Sequence, residues 1–283
     1  MTKGCLNILG VVRNGGAALA DTLARIDLLQ ARLQDSRVLI ATNDNTDDTE
    51  QRLSAWSHRT AGRVILRLDG LSDQITDRVE RITHARNVVL DRLFDGAAPF
   101  DQTLILDLDG PNARMDPDAI LRAMSRIRPE WDAVFGNAQP AYYDLYALRC
   151  TGWCDEDVWQ RIHSARKPLM FRRRWRQQLV QRVIFDRQYH IPTDAPLIPV
   201  QSAFAGLGLY RTDALRRVRY ACRDARGKLV CEHVLLHQQM LDGRARLFID
   251  PALTVQAPRE HLGATSGAPF PGPLLQQWDG PQN

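Results

Sequence analysis

Several features that assign a chain quickly are scarce or missing here. Cysteine is sparse and irregular: the 283 residues hold five, Cys5, Cys150, Cys154, Cys222 and Cys231. The number is odd, and Cys150 and Cys154 stand four apart rather than in the CxxC spacing of zinc and redox sites, so neither a disulfide framework nor a structural zinc site is expected. Reduced, partly buried thiols in a cytosolic protein are the expectation. No apolar run approaches the roughly 20 residues that cross a bilayer. The apolar start "CLNILGVV" is closed by Arg13 and Asn14 with no small-residue cleavage site behind it, so a secretory leader is not expected. The expected location is cytoplasmic, with at most a peripheral hold on the inner membrane face. Acid is nearly missing from one stretch: between Arg161 and His190 there are nine Arg/Lys and one acid, Asp186, a net +8 against +4 for the whole chain. What is present is ordinary for a globular protein, 44% hydrophobic and 25% charged, and long enough to bury a substantial core.

The first 140 residues alternate strand-like and helix-like segments. Short apolar strands are expected at 5–12, 37–42, 63–68, 103–110 and 131–137. Between them, Leu19, Leu23, Ile26 and Leu33 recur at helical spacing, as do Val79, Ile82, Val89 and Leu93 in a helix over 77–96 that Gly96 is placed to end. Asp47 and Glu50 have capping-box spacing before Leu53 and Trp56, and an aspartate opens the helix over 116–127. This alternation predicts an α/β fold, a single Rossmann-like domain whose central, mainly parallel sheet is flanked by helices. Ligands of such sheets bind beyond the carboxyl ends of the strands, where "RN", "NDNTDD" and "DLD" all fall.

Beyond residue 140 the pattern loosens. "AYYDLYALR" (141–149) alternates like a strand, about 155–195 reads as a basic helical insertion, 231–243 as a short helix and 245–257 as a strand pair. The Pro- and Gly-rich end, 263–283, reads as a loose tail. The expected domain is therefore 1–262, a nucleotide-binding half (1–140) followed by an acceptor half (141–262).

In "TLILDLDG" (103–110) a strand runs into two aspartates. Alternate residues of a strand point the same way, so Asp107 and Asp109 are expected to share a face, placing two hard oxygen donors in a cleft where Mg²⁺ or Mn²⁺ would bridge a diphosphate. Taken alone, the triplet is equally the polar lip of a strand.

Seven ordered segments carry a resemblance: "VVRN", "ATNDNTDDT", "RITHARNVVL", "LILDLDG", "YYDLYALR", "QSAFAGLGLYR" and "CEHVLLHQQM", spanning residues 7–261. The chain resembles nucleotide-sugar glycosyltransferases of the A-type fold (GT-A), more specifically the capsule-associated mannosyltransferase group and its bacterial relatives. The resemblance implies a metal-dependent transfer of a sugar, mannose on the finer likeness, from a GDP- or UDP-sugar to a glycan or lipid-linked glycan in cell-surface polysaccharide synthesis. It implies that Val12 and Arg13 line the base pocket, Asp44 contacts base or ribose, and Arg86 faces the diphosphate. Asp107 would reach ribose or metal, Asp109 would bind Mn²⁺ or Mg²⁺ directly, and His261 would be a late metal ligand. Tyr143 and Asp144 would contact sugar hydroxyls, and Gly206 would let backbone approach the donor sugar. Glu232 would be the catalytic base, a placement that suits inversion, whereas the mannosyltransferase likeness implies retention. His233 and His237 lack the HExxH order and a third ligand, and are expected to pack.

The basic segment 166–188, with Phe171 and Trp175 among its arginines, reads as a membrane-facing or acceptor-binding helix, or as a solvated one. No nucleic-acid module accompanies it. Two other readings stay open. A sugar-phosphate nucleotidyltransferase would want a lysine in the loop after the first strand, and "RNGG" has none. A non-catalytic membrane- or polyanion-binding protein would use only the basic segment.

Overall fold

A computed structural model describes residues 4–95 and 97–271. Gly96 and residues 272–283 of the expected tail lie outside them. The chain forms strands β1 (Cys5–Val12), β2 (Asp35–Thr42), β3 (Arg63–Arg67), β4 (Gln102–Asp107), β5 (Ala133–Gln139), β6 (Tyr189–His190), β7 (Ile198–Pro199), β8 (Leu207–Arg211), β9 (Leu247–Gln256) and β10 (Ala268–Pro269). The helices are α1 (Gly16–Gln30), α2 (Thr49–Ser57), α3 (Leu71–Gln74), α4 (Arg78–Phe94), α5 (Pro117–Met124), α6 (Val158–Ser164), α7 (Arg172–Val183), α8 (Thr212–Leu215) and α9 (Glu232–Asp242).

Eight strands make one sheet in the order β3-β2-β1-β4-β8-β5-β9-β7. The pairs β3–β2, β2–β1, β1–β4 and β5–β9 are parallel; β8 runs antiparallel between β4 and β5, and β7 antiparallel to β9. The strands are apolar on both faces because helices cover both: Leu6, Ile8 and Leu9 of β1, Val38, Leu39 and Ile40 of β2, and Leu104 to Leu106 of β4 are all buried. The α1 stripe Leu19, Leu23, Ile26 and Leu29 buries against this layer. Helix starts follow side-chain chemistry: Asp77 accepts hydrogen bonds from the Val79 and Glu80 amides ahead of α4, and Asp116 from the Asp118 amide ahead of α5.

Four local expectations are corrected. Residues 141–149 form an irregular turn rather than a strand, because the Asp144 carboxylate accepts from the Ala147 and Ala205 amides and bends the chain. Residues 247–256 are one strand, not a pair. Its register against β5 jumps between Phe135 and Asn137, opposite Pro251, which has no amide to donate. The folded chain runs past 262: β10 pairs with β6, and the Phe270 ring packs 5.0 Å from Trp153. Asp47 and Glu50 form no capping box, since Glu50 pairs with Arg67 at 2.8 Å.

Asp47 instead helps join two loops. The loops after β1 and β2 are laced by side-chain to backbone hydrogen bonds: the Gly16 amide donates to Asp47 (2.9 Å), Gly15 to the Thr49 hydroxyl (2.8 Å), Asn14 to Asn45 (2.9 Å) and Thr46 to Asn14 (2.7 Å). Asp44, at φ +44°, reaches forward, and its two oxygens accept from the Gly70 and Ser72 amides at 2.7 and 2.8 Å. Asn43 and those amides hold its pKa down at about 2. Asp44→Ala is expected to cost about 1 kcal/mol of unfolding free energy, as an N-cap deletion does. A depressed carboxylate stabilises above its ordinary pKa, so this contribution is present above 3.8 and is lost as pH falls toward about 2. Thermal unfolding of wild type and variant across that range should converge at the acid end.

Candidate active site

The carboxyl ends of β1, β2 and β4 open into a cleft of about 1980 Å³, closed on the far side by α9, the 143–147 turn and the basic insertion. Val12, Arg13, Arg86, Asp107, Asp109, Tyr143, Asp144, Glu232 and His261 all line it. Asp44 and Gly206 do not. Asp44 spends its carboxylate on the start of α3, and the neighbouring Asn43 faces the cleft in its place. Gly206, at φ +89°, supports the aspartate loop from behind: its carbonyl accepts from the Asp107 amide (2.8 Å) and the Asn112 side chain (2.7 Å). A Cβ there would stand 2.7 Å from that of Pro111, so glycine is needed for protein packing, not for approach to a sugar.

The two aspartates do not share a strand face. β4 ends at Asp107, Leu108 is fully buried, and Asp109 projects from the following turn into the open cleft. Asn112 pins this turn by donating to the Asp107 carbonyl at 2.8 Å. Enclosure by the cleft walls, then the like charge of Asp107, pushes the Asp109 carboxyl above its ordinary pKa.

At the centre stands Arg86, on α4 and only 6% exposed. Its Nη2 donates to Asp107 Oδ1 at 2.8 Å and its Nε to Glu232 Oε1 at 3.1 Å; its Nη1 is buried with no hydrogen-bond partner among the described residues. The guanidinium also faces the rings of Phe204 (5.1 Å) and Tyr220 (5.7 Å). Burial alone would lower its pKa, but Asp107 and Glu232 together raise it, so the group stays charged. Glu232 opens α9, where the helix dipole favours a carboxylate. The Asp144 carboxyl is shifted upward. Desolvation, opposed by the Ala205 and Ala147 amides and helped by Asp107 and Glu232, lifts it to about 6.

The histidines divide. His237 is fully buried between the Ser202 hydroxyl (2.9 Å) and the Tyr210 hydroxyl (3.0 Å), and burial lowers its pKa to about 3. His233 stacks on Phe204 at 3.7 Å with neither ring nitrogen hydrogen-bonded. His261 stacks on Tyr143 at 5.6 Å rather than joining the aspartates. Among the described residues no three His, Cys, Asp or Glu side chains are grouped to hold a metal. The donor set fits a hard cation all the same. Asp109 and the Asp107 oxygen not taken by Arg86 offer two carboxylate oxygens to the cleft, and Mg²⁺ and Mn²⁺ commonly take one or two carboxylates and complete their shells with phosphate and water.

Sequence reasoning missed Asn43, Asn112 and Gln188. The buried Gln188 donates to the carbonyls of Tyr143 (3.3 Å) and His261 (2.9 Å), tying two cleft segments together. Only Asn112 left a signal, as the Pro-Asn pair that turns the chain after "DLDG". All five cysteines are unpaired thiols, four of them buried. No described helix is long and apolar enough to cross a membrane.

The architecture is the mixed α/β fold of A-type glycosyltransferases. The mannosyltransferase PcManGT from Pyrobaculum calidifontis, solved with GDP-Man and Mn²⁺, superposes with a TM-score of 0.51 over 90% of this chain and 57% of its own, at 12% identity. TarS from S. aureus matches over 91% of this chain and 60% of its own (TM-score 0.47, 12% identity). Glucosyl-3-phosphoglycerate synthase from Mycobacterium tuberculosis matches over 96% and 74% (TM-score 0.42, 12% identity). The chain thus spans less than two thirds of the length of the first two. No protein-family model and no curated protein sequence matches it.

Two outcomes follow. Arg86→Leu leaves two carboxylates facing one another without their cation and should cost about 3–5 kcal/mol in denaturant unfolding at neutral pH, recovering in part in acid. For Asp144 the raised pKa means that the folded state holds its proton longer than the unfolded one. Its contribution is fully present below 3.8 and is lost as pH rises through about 6. The variant Asp144→Asn should flatten the stability profile in that window, and a carboxyl ¹³C titration of the wild type should place the midpoint near its upper edge.

Proposed function

We propose that this chain transfers a sugar from a nucleoside-diphosphate donor to a hydroxyl of a glycan or lipid-linked glycan. The observation that carries the reading is the Arg86 clamp, which sets one buried cation and two carboxylates at the floor of a cleft formed by the carboxyl ends of β1 and β4. A shared fold with nucleotide-sugar enzymes supports it. The cleft has room for a nucleotide sugar together with part of an acceptor.

Val12, Arg13 and Asn43, on the laced loops, bind the nucleoside; Arg86 Nη1, buried without a hydrogen-bond partner among the described residues, donates to the diphosphate. Asp109 and the free oxygen of Asp107 hold a divalent cation, Mn²⁺ or Mg²⁺, which when bound neutralises diphosphate charge. Tyr143 and Asp144 meet sugar hydroxyls. As the acceptor oxygen bonds to the anomeric carbon, the bond from that carbon to the diphosphate oxygen breaks and the diphosphate leaves with the electron pair. Glu232 takes the acceptor proton on the oxygen not held by Arg86. GDP-mannose as donor, a role in cell-surface polysaccharide synthesis and a cytoplasmic location with the 166–188 segment toward a membrane complete the reading.

A thermal-shift series of GDP- and UDP-sugars with and without Mn²⁺ tests it. Stabilisation of about 3 kcal/mol is expected at ligand near a hundred times its Kd, dependent on the cation and absent in Asp109→Ala. Glu232→Gln, which keeps an acceptor for the Arg86 hydrogen bond, should bind donor normally and lose transfer about 100-fold or more. Failure of every nucleotide sugar to stabilise the protein with metal would sink the reading.

A further inference from the structure

Among the described residues, three exposed large apolar side chains, Leu28, Ile127 and Trp159, stand singly, which is ordinary for a protein surface. One group does not. Leu169, Met170 and Phe171 are consecutive and 91%, 68% and 74% exposed. They form the tip of the loop joining α6 to α7, and Phe171 holds a left-handed backbone, φ +56°, that turns the chain into α7. A bulky residue rarely adopts that conformation, and the tip it creates stays largely exposed.

Around this tip the charge is of one sign. Arg166 and Lys167 precede it, and Arg172, Arg173, Arg174 and Arg176 follow it on α7, all exposed. None of the six has a carboxylate within ion-pair distance among the described residues, although thirteen other arginines do. The inward face of α7 is accounted for: Leu179 and Val180 pack on the core and Val183 is buried within it. The outward face and the tip are therefore a basic rim around an apolar point, with no carboxylate paired to its cations among the described residues.

We propose that this element docks on an anionic phospholipid bilayer, with Leu169, Met170 and Phe171 entering the acyl boundary and the six cations lying at the headgroup level. Both halves of the surface then have a partner, charge for charge and apolar for apolar. A soluble polyanion would match only the cations, and an apolar protein groove only the tip. The site also bears on access to the cleft. Val180 of α7 lines it, about 13 Å along the helix from Phe171, so docking sets the cleft mouth close to the membrane plane. An acceptor carried on a lipid anchor could then enter without leaving the bilayer. This last step rests on the proposed glycosyl transfer; the docking itself does not.

Vesicle co-sedimentation of the full chain tests it, with phosphatidylcholine vesicles and vesicles containing roughly one third phosphatidylglycerol. Binding is expected to the anionic vesicles and to fall steeply with added salt. Leu169→Ser with Phe171→Ser should weaken partitioning about tenfold or more, and neutralising Arg172, Arg173 and Arg174 to glutamine should do the same. These side chains lie outside the cleft and are exposed, so both variants should keep wild-type melting temperatures and metal-dependent nucleotide binding. Retained nucleotide binding with lost vesicle binding thus separates this inference from the proposed function. Three results overturn it: no binding to anionic vesicles, binding unaffected by the apolar pair, or a concentration-dependent dimer that the same apolar pair abolishes.

Discussion

A buried guanidinium organises this molecule. Arg86 enters the cleft floor from α4, and two carboxylates, one from the end of β4 and one from the start of α9, close on it. Each group alone would be costly to bury. Together they offset one another, and the residual hydrogen-bonding capacity of the arginine meets no acceptor among the described residues. The pairing links residues 21 and 146 positions apart, so it also joins the two halves of the chain. The antiparallel strand β8 does the same through the sheet, passing between β4 and β5 and delivering the Gly206 carbonyl beneath the aspartate loop.

The surroundings of this pair divide into groups consumed by structure and groups left for chemistry. Asp44 and Asp47 lie in the most acidic stretch of the chain, yet both are occupied by backbone amides and pushed toward low pKa. Asp109 and Asp144 face the cleft, and both are pushed upward. Carboxylates of one residue type thus take opposite characters from their surroundings: the side chains and amides that donate to the first pair lower its pKa values, while enclosure, joined by the like charge of Asp107, raises those of the second. Glycosyl transfer at this cleft would use the second pair and the clamp, with the first pair holding the laced loops in place.

Much of the fold was legible in the residues. The apolar strands, the helical stripes, the aspartate at the start of α5 and the basic helical insertion are local patterns, and local patterns obey strand and helix periodicity directly. The site was legible as a set of segments, since polar clusters after parallel strands must gather at one edge. What misled were residues whose surroundings come from far along the chain. Asp44 reads as a ligand until the amides of Gly70 and Ser72 meet it. The "AGLG" run reads as a donor-facing backbone until Pro111 is found against Gly206. Asp109 reads as a strand residue until β4 stops two positions earlier.

By itself, then, the sequence determined the class of architecture, the sheet edge that gathers the polar loops, and the charge of the insertion, because each depends on periodicity or composition along a short stretch. The tertiary structure alone decided that Arg86 holds Asp107 and Glu232, that His237 is core while Asp144 is held near neutrality, and that three apolar residues stand unburied within the basic insertion. Those outcomes depend on which distant groups share one volume from which water is partly expelled. Spacing along a chain does not encode that volume; it exists only once the strands have paired.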